Sequence, residues 1–218
     1  NGLDAIVTLP TAQHLTFKMA WDHYAKTVGR PLPQAAAIAV ACPINGRVMK
    51  LTNNSWTISI DELRNSLSLN EITLVNDFGA VGHAISHLGN EHFCHITGPT
   101  CPLPSEGLIS IVGPGTGLGV AQLLRRDGQD YIIETEGGHC DFAPLDSFEE
   151  DLMKQLRNRH QRVSIERVVS GPGLHAIYEV LAKIENQPAK MHDNKTLWSI
   201  ALAESDPLAA NALKYFCK

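Results

Sequence analysis

The 218-residue sequence has no C-x-x-C pair and no Cys/His run at zinc-ligand spacing. Its five cysteines, Cys42, Cys94, Cys101, Cys140 and Cys217, are scattered and odd in number. A disulfide framework and a structural zinc centre are thereby excluded, and the thiols read as reduced, as in a cytosolic protein. Positive charge in excess is also missing. Eighteen Lys and Arg stand against 23 Asp and Glu, a net charge of −5, so no basic field exists to draw in a nucleic acid or an anionic membrane. No apolar run reaches the ~20 residues of a membrane-spanning helix. No segment has the charged start and small-residue cleavage site of a signal peptide. The chain reads as soluble and cytoplasmic, with neither nucleic acid nor membrane as a partner. Internal repeats and low-complexity tracts are absent as well.

What is present is a globular composition, 44% hydrophobic and 19% charged, enough for a sizeable core in one or two domains. Residues 11–28 place Phe17, Ala20, Trp21, Tyr24 and Val28 at helical spacing. "AAAIAVACP" reads as a buried strand ended by Pro43. "NGRVMKLTNNSWTIS" reads as a hairpin with an Asn-Gly turn. Ser59 and Glu62 form a capping box for a helix over "IDELRNSL", as do Ser147 and Glu150 for the helix carrying Phe148, Leu152 and Leu156. "EITLVND" is a further buried strand, and a helix follows from Phe78 to Leu88. "LISIVGPGTGLGVAQLL" and "DYIIETEGGH" read as strands, and "SGPGLHAIYEVLAKIEN" as a turn and helix. This alternation predicts an α/β protein whose sheet faces are covered by helices. A Pro/Gly-containing connector places the domain boundary between Leu88 and Leu108, dividing residues 1–88 from 89–218. Both ends read as cut. The chain opens on Asn1 and a strand-like "AIVTLP" with no lead-in, and it stops inside a helix that Asp206 caps and Pro207 begins. The sequence is therefore expected to be an internal fragment.

Four groups of residues carry chemistry. Gly113, Gly115, Gly117 and Gly119 alternate strictly, which fits neither the Walker pattern with its lysine nor the dinucleotide G-x-G-x-x-G. Such a turn lets peptide N–H groups approach an anion, with the Thr116 hydroxyl as an extra donor. It is equally read as a tight hairpin requiring positive φ. Glu136 and His139, separated by two glycines, can face one polyol. A metal would need a third ligand, for which Asp141 is the candidate, and a plain polar surface loop is the other reading. Asn76-Asp77 ends an apolar strand, where open α/β sheets hold their ligands. There the aspartate can take a proton from an alcohol that the amide orients, or it simply caps the next helix. Glu166, taken alone, reads as a helix-face residue or a salt bridge to Arg162 or Arg167. His14, His23, His83 and His87 fall in helical segments as helix-face residues, and Trp21, Trp56 and Trp198 read as packing.

Taken in order and spacing, "ACPINGRVMKLTNNSWTIS", "LVNDFGA", "VGPGTGLGVA", "EGGHCDFAP" and "ERVVSGPGL" resemble the bacterial glucokinase family across essentially the whole chain. The resemblance implies a two-domain actin-like ATPase (ribonuclease H-like) α/β fold, incomplete at both termini. It implies ATP with Mg2+ as the phosphoryl donor, D-glucose as the acceptor and a homodimer. By position it makes Asp77 the base at the sugar 6-hydroxyl and Asn76 a ligand to a neighbouring hydroxyl. Glu136, His139 and Glu166 become ligands to further hydroxyls, and Gly113, Gly115, Thr116 and Gly117 the phosphate turn, with no protein metal site. Members of the family also begin with a strand and an Asp-x-Gly-Gly-Thr-Asn turn, and carry a later glycine-rich adenosine segment. Neither is present, which implies that this chain by itself does not complete a nucleotide site and is inactive alone. The alternative within the same fold is a non-catalytic sugar-binding or regulatory module. The missing Cys cluster argues against a related branch with a cysteine-rich zinc motif after E-x-G-H, and a dehydrogenase is a distant third reading, because the glycine spacing fits it badly and no acidic ribose partner can be placed.

Overall fold

The computed structural model describes residues 4–44, 46–51 and 55–218. It divides into two compact units, Asn1–Gly98 and Pro99–Lys218, joined through a stretch in which residues 93–106 form no helix or strand.

In the first unit, helix α1 (Phe17–Val28) begins where the Thr16 hydroxyl accepts from the Met19 N–H. The longer helix predicted from residue 11 is thus interrupted: residues 11–13 form a short 3-10 turn, and His14 lies between the two. His14 is buried and is no helix-face residue. Its Nδ1 lies 3.0 Å from the Pro10 carbonyl, which can only accept, so Nδ1 carries the proton, while Nε2 lies 2.9 Å from His23 Nδ1. Strands β1 (Ala35–Val40) and β4 (Glu71–Asn76) pair in parallel with Val40 beside Asn76. A second ladder joins β2 (Val48–Lys50) to β3 (Thr57–Ser59), antiparallel. The Asn-Gly turn expected for this hairpin falls on Asn45, outside the described residues, and Gly46 precedes β2 rather than linking it to β3. Ser59 caps helix α2 (Ile60–Ser66) as predicted, accepting from the Glu62 N–H. The core gathers Ile38, Val40, Met49, Ile58 and Leu63, with Phe17 and Leu74 against it. Trp56 closes the side by donating its indole N–H to the His14 carbonyl at 2.8 Å. "AIVTLP" forms no strand, and Ile6 is exposed, because no ladder among the described residues takes up its backbone groups.

The second unit carries an antiparallel sheet of β5 (Gly107–Pro114), β6 (Leu118–Arg126) and β7 (Gln129–Thr135) in that order. Beside it lies a helical layer. Helix α5 (Gly171–Ile184) is its centre and packs on α4 (Ser147–Arg157), α6 (Asn194–Leu202) and α7 (Pro207–Phe216). Leu174, Ile177, Tyr178 and Leu181 on α5 are almost fully buried. Each large apolar side chain removed from water in this way stabilises by ~1.5–3 kcal/mol. The capping box predicted at Ser147 and Glu150 is replaced: Asp146 is the cap and accepts from the Glu149 N–H at 2.9 Å. Asp206 and Pro207 begin α7 as the sequence indicates. All five cysteines are free thiols.

Candidate active site

In the first unit, β4 ends at Asn76 and helix α3 (Asp77–His87) starts at the next residue. Asn76, not Asp77, caps the helix: its Oδ1 accepts from the Phe78 and Gly79 N–H groups at 2.9 and 3.3 Å. Its Nδ2 donates to the Cys42 carbonyl at 3.3 Å, tying the junction to the end of the neighbouring strand segment. Capping by the amide leaves the Asp77 side chain exposed at the first helical position, where one oxygen accepts from the Phe78 N–H at 2.9 Å. Among the described residues this carboxylate spans no salt bridge and does not close the cap, and at the carboxyl end of a parallel strand such a group is available to a ligand.

In the second unit, β5 and β6 pair as far as Pro114 and Leu118, so the connecting turn is only Gly115-Thr116-Gly117. Gly113 faces Gly119 within the ladder and is not part of the turn. Nor does the turn use positive φ, which the hairpin reading required; none of these glycines adopts it. Inside the turn the Gly115 N–H donates to Gly117 O at 2.7 Å, and Gly115 O accepts from the Gly171 N–H at 2.8 Å. Among the described residues the N–H groups of Thr116 and Gly117 have no acceptor, and Thr116 is exposed. Two successive open donors beside a hydroxyl are what an anion needs.

"EGGH" leaves the strand and becomes a 3-10 turn, Gly137–His139. Its path follows from a close approach: a Cβ on Gly138 would collide with the Leu118 carbonyl oxygen. The following residues zip onto the segment that holds Glu166. Phe142 N–H donates to Val163 O at 3.0 Å and Ile165 N–H to Cys140 O at 2.8 Å. Two stretches apart in sequence are thereby aligned, and His139 Nε2 stands 3.8 Å from Glu166 Oε1, a separation longer than a hydrogen bond. Glu166 Oε2 accepts from the Leu118 N–H at 3.0 Å, at the end of the glycine turn. The salt bridge to Arg162 or Arg167 that its sequence neighbours suggested does not form. Glu166 is 25% exposed and His139 58%. Glu136 is exposed, and its side chain makes no capping bond.

Asp141 is not a metal ligand candidate here. Its carboxylate receives Arg162 Nε at 2.5 Å, while Arg162 Nη2 donates to the His139 carbonyl at 2.8 Å. Among the described residues no group of three or more His, Cys, Asp or Glu could hold a metal ion. Arg162 is the residue that sequence reasoning missed, since nothing in its neighbourhood signals a partner in the E-G-G-H turn. A cavity of about 140 Å3 beside the turn is lined by Thr116, Glu166, Ser170 and Arg167 among others. The larger cavity, about 510 Å3 around Tyr178, Lys190 and Asp206, touches none of the predicted site residues.

Two α/β units with these features match solved structures of one class of α/β enzyme. The structure of a glucokinase from an Antarctic psychrotroph superposes with a TM-score of 0.75 at 31% identity, over 96% of this chain and 64% of that one. A glucokinase from Balamuthia mandrillaris, solved in complex with glucose, gives 0.68 at 21% identity over 92% of this chain, a likeness of fold. The chain belongs to the glucokinase family, whose profile matches residues 2–218. It is 52% identical over 210 residues to the glucokinase of Zymomonas mobilis subsp. mobilis, covering 96% of this chain and 65% of that protein. It is 34% identical over 216 residues to that of Marinobacter nauticus. The chain thus spans about two thirds of the length of the curated relatives it matches. Among the described residues no helix is long and apolar enough to cross a membrane.

Proposed function

We propose that this chain supplies the sugar-binding and proton-accepting part of a glucokinase, which transfers the γ-phosphoryl group of ATP to the 6-hydroxyl of D-glucose. The observation that carries the reading is the family match along residues 2–218. Asp77 takes the proton as the 6-oxygen bonds to the γ-phosphorus and the bond to the leaving ADP oxygen breaks. An alcohol is a poor nucleophile, and a carboxylate at hydrogen-bond reach is the group kinases use to orient and deprotonate it. Asn76 fixes the start of α3, so that Asp77 projects from a defined backbone position. Glu136, His139 and Glu166 accept from or donate to the remaining hydroxyls, and Thr116 and Gly117 offer their N–H groups to the phosphates. Mg2+ would arrive with the nucleotide, held by phosphates and water. No protein ligand is assigned to it. The cytoplasm and a homodimer complete the reading, the latter checked by sedimentation.

The test is Asp77→Asn in the natural gene product that contains this chain. Glucose phosphorylation should fall by ~100- to 10,000-fold, while glucose affinity measured by calorimetry stays within a few-fold. An unchanged rate would remove Asp77 from the mechanism; glucose binding with no phosphoryl transfer by the unaltered protein would favour a sugar-sensing module.

A further inference from the structure

Glu166 stands at the meeting of two functions. One oxygen, Oε1, faces His139 and the region where sugar hydroxyls are expected, whereas Oε2 accepts from the Leu118 N–H at the end of the glycine turn. The other end of the same turn is held five residues further along the Glu166 segment, where the Gly171 N–H donates to Gly115 O at 2.8 Å. One short stretch, residues 166–171, therefore clamps a three-residue turn at both ends. The contact is close because residue 117 has no side chain: a Cβ there would run into Glu166 Oε2 and come within 3.0 Å of its carboxyl carbon. The turn's remaining donors, the N–H groups of Thr116 and Gly117, lie in sequence between the two clamped residues and have no acceptor among the described residues.

We propose that Glu166 couples sugar occupancy to the phosphate turn, acting as a positioning residue for nucleotide binding as well as a sugar ligand. The inference rests on the sugar-site reading above. A hydroxyl donating to Oε1 restrains the carboxylate, which in turn fixes the Leu118 N–H and the direction of the two open donors. Ordering that carboxylate once serves both ligands, so each binds more tightly when the other is present, and the factor is the same in both directions. Glucose would thus prepare the turn for the triphosphate before the nucleotide arrives.

The wild-type experiment is amide hydrogen exchange on the 218-residue chain with D-glucose and no nucleotide, with glucose binding followed by calorimetry on the same sample. Exchange at Leu118 should slow several-fold on saturation; binding without any change at Leu118 overturns the coupling, and no binding at all overturns the sugar-site reading with it. The second arm is Gly117→Ala. The new Cβ displaces the mobile end of the Glu166 side chain rather than backbone, so the fold should survive. Its glucose dissociation constant should rise about tenfold, the factor that the loss of one hydrogen bond to a charged group can produce. An unchanged constant overturns the proposal.

Discussion

At the scale of single residues, Gly138 and Arg162 shape the backbone around His139, in the proposed sugar site, without being candidates to touch the sugar. Gly138→Ala places a methyl group against the Leu118 carbonyl, which cannot move without disturbing the β5–β6 ladder. The variant should lose ~1–3 kcal/mol, read as a lower melting temperature. Arg162→Ala removes an exposed pair worth about 0–1 kcal/mol, so melting should barely change. Glucose affinity should nevertheless fall several-fold, because the His139 carbonyl loses its anchor. Asp206 gives a pH test. The hydrogen bond from Lys190, followed by the N–H groups of Ala209 and Leu208, holds its carboxyl below the usual carboxylate range against the opposing effect of burial. A lowered value in the folded state stabilises above the unfolded value near ~3.9 and is lost as pH falls through the folded one. Asp206→Ala should cost ~0.5–2 kcal/mol at neutral pH as a lost cap, and the penalty should shrink in acid melts below about pH 4. Asp77 and Glu166 became candidates through the strings "LVNDFGA" and "ERVVSGPGL" that carry the family resemblance, since Glu166 by itself signals nothing. Arg162 was not legible, since its partners Asp141 and His139 lie 21 and 23 residues away.

For whole elements, the sequence conveyed type better than face. "AAAIAVACP" suggests a strand buried on both sides, yet Ile38 and Val40 are buried while Ala35, Ala37 and Ala39 are exposed. Alanine is compatible with either side of a sheet, so composition could not reveal the alternation. The start of α4 shows a second ambiguity. Asp146 with Glu149 and Ser147 with Glu150 both present a cap followed three residues later by an acid, and only the backbone geometry selects the first. Asp146 additionally receives the Lys218 ammonium, which lowers its carboxyl's pKa. Asp146→Ala should therefore lower the melting temperature, whereas Ser147→Ala should leave it unchanged. Helix α5 was legible as a helix with an apolar face, but the "SGPG" read as a preceding turn is its own cap and first turn, Ser170 accepting from the Gly173 N–H. Leu174 on this helix is fully buried, and Leu174→Ala should cost ~2–5 kcal/mol in denaturant unfolding.

Taken as a whole, the molecule is two units, each with its own ladders and core, linked by exposed chain. Residues 91–102 are exposed throughout, and Phe93 offers chymotrypsin a site in a stretch without helix or strand. Limited proteolysis should cut there before anywhere in either unit, yielding pieces that persist; early cleavage inside α5 or β6 would contradict this division. The candidate groups divide in the same way. Asn76 and Asp77 belong to the first unit and the glycine turn, His139 and Glu166 to the second, so spacing within either half could never have related base to turn. The linking stretch also bears on descent. Doubling the length of a flexible link costs only about 0.6 kcal/mol, so natural selection has little purchase on how many residues it contains. Insertions and deletions among the descendants of a common ancestor should accumulate between residues 93 and 106, while the three-residue turn at 115–117, held at both ends, keeps its length unaltered.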